Sequence, residues 1–215
     1  YALMENALGM DSEQMHEVFK QWDSGVLDSY LIEITADILA MKDEDGEPLV
    51  NRILDTAGQK GTGKWTGINA LDLGVPLTLI GEAVFARVLS SMKDERVRAA
   101  AILGPRPTNT VTGSEEDNVS ELHDALYASK IISYAQGFML MREAAKEQGW
   151  DLNYGEIALM WRGGCIIRSA FLGNIKTAFD NNPQLENLAL DAFFVDALKS
   201  AENGWRKAVI LAVQN

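Results

Sequence analysis

The stretch Asp55-Thr-Ala-Gly-Gln-Lys-Gly-Thr-Gly-Lys-Trp-Thr66 gathers the residue types that hold an anion. Gly58, Gly61 and Gly63 let the backbone take positive φ and approach a ligand closely. Lys60 and Lys64 bring positive charge, and Thr62 and Thr66 bring hydroxyl donors. Helical sequence flanks the stretch on both sides. That combination suits an anion, with phosphate the leading choice. A plain glycine-rich connector between helices is the competing reading, and spacing alone weighs the two evenly. Arg87 tilts the balance, because an arginine within an apolar helical stretch needs a partner. The partner is either a carboxylate such as Glu82 or Asp72, or a phosphate or carboxylate ligand gripped by two N–H groups.

Other chemistries fit less well. Gly58-x-x-x-x-Gly63-Lys64 is one residue short of a nucleotide-binding P-loop. Trp65 stands where such a loop needs Ser or Thr for magnesium, and no apolar strand precedes it. The Gly-x-Gly-x-x-Gly dinucleotide fingerprint does not occur. Lys42 to Pro48 resembles a calcium loop only faintly and reads as a solvated turn. His16 and His123 have no second His or Cys at metal-ligand spacing, so no metal site is expected. Cys165 lies in an apolar stretch and reads as core. Arg162 and Arg168 pose the same question as Arg87, and for them structural partners are the better reading.

Composition narrows the class. The 215 residues carry a formal net charge of −12. Duplex binding needs clustered cations, so nucleic acid is not an expected partner. An anionic membrane surface is disfavoured for the same reason. No apolar run approaches the about 18 residues a membrane span requires. One cysteine allows no intrachain disulfide, which fits a reducing compartment. The N-terminal residues lack the basic region and cleavage site of a signal peptide. Both ends read as cut: Tyr1 to Leu8 looks like the closing turns of a helix, and Val209 to Asn215 stops inside an apolar pattern.

The elements that must position the loop are helices. Asp11 or Ser12 caps a helix running to about Trp22. Leu27, Leu31, Ile34, Ile38 and Met41 predict an amphipathic helix with that stripe inward. Leu49 to Leu54 is extended or a single helical turn, and Lys64 to Leu73 is a short helix ended by Gly74. A helix from about Pro76 to Leu103 follows, its first half buried and its charged second half, from Lys93 to Arg98, wet. Residues 104–117 form a loop. The longest helix covers about Val119 to Gln148, with an inward stripe of Tyr127, Ile131, Tyr134, Phe138, Met141 and Ala145. Tyr154 to Trp161 is helical, and helix resumes from Cys165 to Phe171 after paired glycines. A last helix starts near Asp191, with a break foreseen at Asn203-Gly204. With no period-2 strand and no repeat, the fold class is all-α: a multi-helix domain with a long central helix.

Four ordered segments carry a family resemblance. They are Leu31-Ile-Glu-Ile-Thr-Ala36, Ile53 to Thr66, Ile80-Gly-Glu-Ala-Val-Phe-Ala-Arg87 and Ala158-Leu-Met-Trp-Arg-Gly-Gly-Cys-Ile-Ile-Arg168. Together they resemble the helical C-terminal domain of 6-phosphogluconate dehydrogenase across essentially all 215 residues. The resemblance implies a cytoplasmic homodimer that converts 6-phosphogluconate to ribulose 5-phosphate and CO₂ with NADP, without a metal, in the pentose phosphate pathway. It matches Lys60, Thr62 and Arg87 to the family's contacts with the substrate phosphate. It also implies that residues 1–215 are the substrate-binding and dimerisation domain. The catalytic lysine and glutamate would lie upstream of Tyr1, beyond them the Rossmann domain that holds NADP, and a C-terminal tail would follow Asn215. On that basis the chain alone is expected to be inactive.

Overall fold

A computed structural model describes residues 1–105 and 111–215, and the middle of the loop expected over 104–117 lies outside them. The described residues form ten α-helices. These are α1 (Ala2–Asn6), α2 (Ser12–Asp23), α3 (Tyr30–Ala40), α4 (Thr62–Asp72), α5 (Thr78–Ser91), α6 (Lys93–Leu103), α7 (Glu115–Gln148), α8 (Tyr154–Met160), α9 (Leu172–Asn181) and α10 (Ala192–Gln214). Short 3-10 turns occupy Leu49–Arg52 and Leu188–Leu190. Among the described residues the only β pairings are isolated bridges, Ser29 with Ser169 and Lys42 with Pro48.

The long helix α7 is the axis, and α10 lies along it. Ser114 caps α7, its hydroxyl accepting from Asp117 N–H at 3.1 Å. Along α7 the expected stripe does face the core: Tyr127, Ile131, Phe138 and Ala145 are buried, with Tyr134 and Met141 packed beside them. Phe171, Leu172, Ile175, Phe179 and Phe194 close the core from α9 and α10. α10 runs through Asn203-Gly204 without the expected break. Gly204 serves close packing, since a Cβ there would sit 2.5 Å from Asp124 Oδ2 on α7.

α2 begins on a full capping box, Asp11 and Gln14 exchanging side-chain and backbone bonds. It packs against α3, but the buried face of α3 is Ile32, Ala36 and Leu39. Leu27 is buried as expected, whereas Leu31, Ile38 and Met41 are exposed. Periodicity found an apolar face, but α3 carries two, and α2 took the other. Segment 161–171 also departs from expectation, being turns and bends until α9 starts at Leu172. Its backbone is diverted to residues 28–30: Tyr30 N–H donates to Arg168 O at 3.2 Å and Ala170 N–H to Asp28 O at 2.9 Å.

At that junction the Lys130 ammonium donates to Leu27 O at 3.1 Å and Ser29 Oγ at 3.0 Å. Burial pushes its pKa from the ordinary 10.5 down to about 8, against the pull of Asp28 and Asp23. Nearby Tyr134, whose hydroxyl donates to Ile167 O, is pushed by burial up to about 12. The signs oppose. Between about pH 8 and 10.5 the folded state holds fewer protons on Lys130 than the unfolded chain, so stability rises with pH. Above pH 10 the folded state keeps the Tyr134 proton that the unfolded chain loses, so stability falls. Urea midpoints of wild type and Lys130→Met, compared at about pH 7.5, below the lysine's window, and about pH 9.5, inside it, should show wild type gaining on the variant as pH rises. A gap independent of pH would refute this assignment.

Candidate anion-binding site

The glycine-rich stretch lies between the 3-10 turn at Leu49–Arg52 and the start of α4. α4 opens at Thr62, two residues earlier than expected, because Gly61 takes φ 103° as its N-cap. That conformation is open to glycine and strained for other residues. The first N–H groups of α4, from Thr62 to Lys64, therefore have no acceptor within their own helix. They form its partially positive end. Gly63 is needed for a second reason: a Cβ there would meet Val84 Cγ2 of α5 at 2.8 Å, so α4 and α5 touch where the loop joins the helix.

Lys60 and Thr62 are exposed at this mouth. Arg87 comes to it from α5. Its Nε donates to Gly58 O at 2.9 Å, and Nη2 donates to the same oxygen. The carboxylate partners considered for Arg87, Glu82 and Asp72, are replaced by a loop carbonyl. The Nε–Nη2 edge of the guanidinium holds the loop, which leaves the Nη1–Nη2 edge able to grip an anion in two-pronged fashion. Structure thus joins Arg87 to the segment that carries Lys60 and Thr62, across 29 residues of sequence.

Upstream, the loop is tied down by residues that carry no signal of their own in the sequence. Asp55 pairs with Lys93 and, at 3.5 Å, with Arg96 Nη1. Arg96 Nη2 donates to Asp55 O at 2.8 Å and to Ser90 O at 2.9 Å. Ser90 O also accepts from Thr56 Oγ1 at 3.2 Å, and Ser90 Oγ accepts from Ala57 N–H at 3.0 Å. These contacts exist because the single helix expected from Pro76 to Leu103 is two, parted at Met92 with φ −88° and ψ 46°. No residue of α5 is buried, and Phe85 is 71% exposed, so the expected burial of this helix does not occur.

Of the remaining candidates, Arg162 is exposed, while Arg168 and the two histidines contact other protein groups. Arg168 pairs with Glu33 and lies 3.7 Å from Asp28. His16 Nδ1 stands 2.8 Å from Ala36 O, and His123 lies edge-on to Trp22. Cys165 is half-buried in the turn segment rather than in the core expected for it, because no helix forms there to carry it inward.

Residues 1–215 match the family model described as "6-phosphogluconate dehydrogenase, C-terminal domain". The chain belongs to that family. It is 59% identical over 213 residues to 6-phosphogluconate dehydrogenase, decarboxylating 1, of Saccharomyces cerevisiae, covering 99% of this chain and 44% of that protein. The human 6-phosphogluconate dehydrogenase, decarboxylating, is 58% identical over 214 residues, covering 100% of this chain and 44% of that protein. The solved Plasmodium falciparum 6-phosphogluconate dehydrogenase, studied in apo form and in complexes with NADP+ and with 6-phosphogluconate, superposes with a TM-score of 0.95 at 44% identity. It covers 100% of this chain and 46% of that one. The chain therefore spans less than half the length of these relatives, and its all-α architecture is that of the 6-phosphogluconate dehydrogenase C-terminal domain. No helix among the described residues is long and apolar enough to cross a membrane.

Proposed function

We propose that this chain is the substrate-binding and dimer-forming domain of a cytoplasmic, NADP-dependent enzyme that oxidatively decarboxylates 6-phosphogluconate to ribulose 5-phosphate. The observation that carries the reading is Arg87 reaching from α5 to the backbone of the loop that bears Lys60 and Thr62. The sugar acid's phosphate sits at the α4 N-terminus. Lys60 neutralises it, Thr62 donates its hydroxyl, and Arg87 takes two of its oxygens. Held by its phosphate, the rest of the substrate is oriented for chemistry performed by groups elsewhere in the enzyme. The residues here do not fit a dinucleotide: the glycine fingerprint is missing from the sequence, and no strand–helix crossover occurs among the described residues. NADP is accordingly assigned to the part of the enzyme outside this chain, and the chain alone has no turnover.

Dimerisation is supported by the apolar surface that α4 and α5 leave open. Trp65, Leu71, Phe85 and Leu89 are each more than half exposed, and large exposed apolar surface is what interaction sites present. A helical dimerisation module without a catalytic parent is the rival reading, and it has no use for a phosphate grip. Amide NMR of this chain separates the two. Titration with 6-phosphogluconate should move the Gly61, Thr62, Gly63 and Lys64 resonances, while unphosphorylated gluconate at the same concentration should not. Equal responses to both, or none to either, would discard the phosphate site.

A further inference from the structure

We infer that Asp55, Ser90 and Arg96 are positioning residues for this loop, holding Lys60 in place before any ligand arrives. The inference rests on the phosphate reading above. Residues 53–61 belong to no helix or strand, and fixing such backbone has a conformational-entropy cost at every residue. The structure meets that cost with a tie at four successive residues. Asp55 is held by Lys93 and Arg96, Thr56 and Ala57 by Ser90, and Gly58 by Arg87. From Gly61 onward the chain is fixed again by α4, whose Trp65 N–H donates to Gly61 O at 2.9 Å. Only Gln59 and Lys60 bridge the two anchors, so the Lys60 backbone has little room to wander.

The break at Met92 is what makes this possible. In an unbroken helix Arg87 and Arg96, nine residues apart, would lie on roughly opposite faces and about 13.5 Å apart along the axis. Parting the helix between Ser91 and Lys93 turns both arginines onto one loop. Arg96 is committed to this task. One of its terminal nitrogens serves two carbonyls, the other faces the Asp55 carboxylate, and its Nε is buried without a protein partner. Neither Asp55 nor Ser90 needs to touch substrate for this role. They act through the position of Lys60 and Thr62.

The test uses the full-length enzyme that carries this domain, with competitive inhibition by inorganic phosphate as the direct probe. Asp55→Asn, Arg96→Gln and Ser90→Ala should each raise the KM for 6-phosphogluconate and weaken phosphate inhibition in parallel, by about 10- to 100-fold. The KM for NADP should not change, and kcat should fall by less than KM rises, since the loop holds the phosphate and the reacting groups lie elsewhere. Ser90→Thr, which keeps the hydroxyl, should restore both constants. A fall in Tm with KM and phosphate inhibition untouched would make the three residues merely structural and overturn the inference. Asp55 is exposed and Asp55→Asn nearly isosteric, so this variant stays informative if Arg96→Gln fails to fold. Lys60→Ala and Arg87→Ala distinguish the two possible failures. If they abolish phosphate inhibition while the Asp55, Ser90 and Arg96 variants leave it intact, positioning alone is wrong. If they too leave it intact, the phosphate reading falls and the inference falls with it.

Discussion

Replacing Arg87 with alanine should raise the KM for 6-phosphogluconate about 100-fold or more in the full-length enzyme. Removing one charge-assisted, two-pronged grip on a phosphate costs about 1.5–3 kcal/mol, or roughly 10- to 150-fold. Arg87 also holds Gly58 O through Nε and Nη2, so its removal frees the loop as well as deleting a charge. Lys60→Ala removes only a point charge and should cost less, about 10- to 100-fold. Arg87→Lys should recover little, because an ammonium cannot hold the Gly58 carbonyl along one edge and an anion along another. Steady-state kinetics with 6-phosphogluconate varied at saturating NADP measures all three. An unchanged KM in Arg87→Ala would remove phosphate binding from this loop.

Such an effect was legible in the sequence only in part. Clustered glycines, lysines and threonines mark a loop whatever the fold, and Arg87 was conspicuous as a cation among apolar neighbours. Asp55, Ser90 and Arg96 gave no local signal. The bonds by which they join helix to loop span 33 to 41 residues, and Lys93 to Arg98 looked like an ordinary solvated helix face. Seen in the structure, two cations of that run fold back onto Asp55. The helices divide the same way. Along α7 the stripe from Tyr127 to Ala145 keeps helical spacing for five steps and does face the core, although Leu122, Leu126, Ile132 and Met139 add apolar surface beyond it. On α3 two apolar faces compete, and only the docking of α2 chooses Ile32, Ala36 and Leu39. α5 is apolar yet exposed, which periodicity cannot distinguish from buried because both surfaces demand the same residues. Segment 161–171 has helical composition but gives its backbone bonds to residues 28–30, a partner no local rule could supply.

Phe194→Ala should be the most damaging single truncation in the core. Phe194 is fully buried and meets Phe171 and Phe193 edge-on, with centroids 6.3 Å and 5.1 Å away. It sits in the first turn of α10, where it pins the helix that lies along α7 to the aromatic cluster above α9. Truncation removes the ring and leaves a cavity that surrounding helices fill poorly, at a cost of about 3–5 kcal/mol. For a domain of this size that lowers Tm by roughly 6–20 °C. Phe194→Leu keeps much of the volume and should lose well under half as much. Phe193→Ala, next in sequence but 43% exposed, should lose about 1 kcal/mol or less. Thermal melts of the three variants decide the matter. Equal losses at 193 and 194 would mean that α10 is rotated about its axis relative to this packing, and that it meets α7 through a different face.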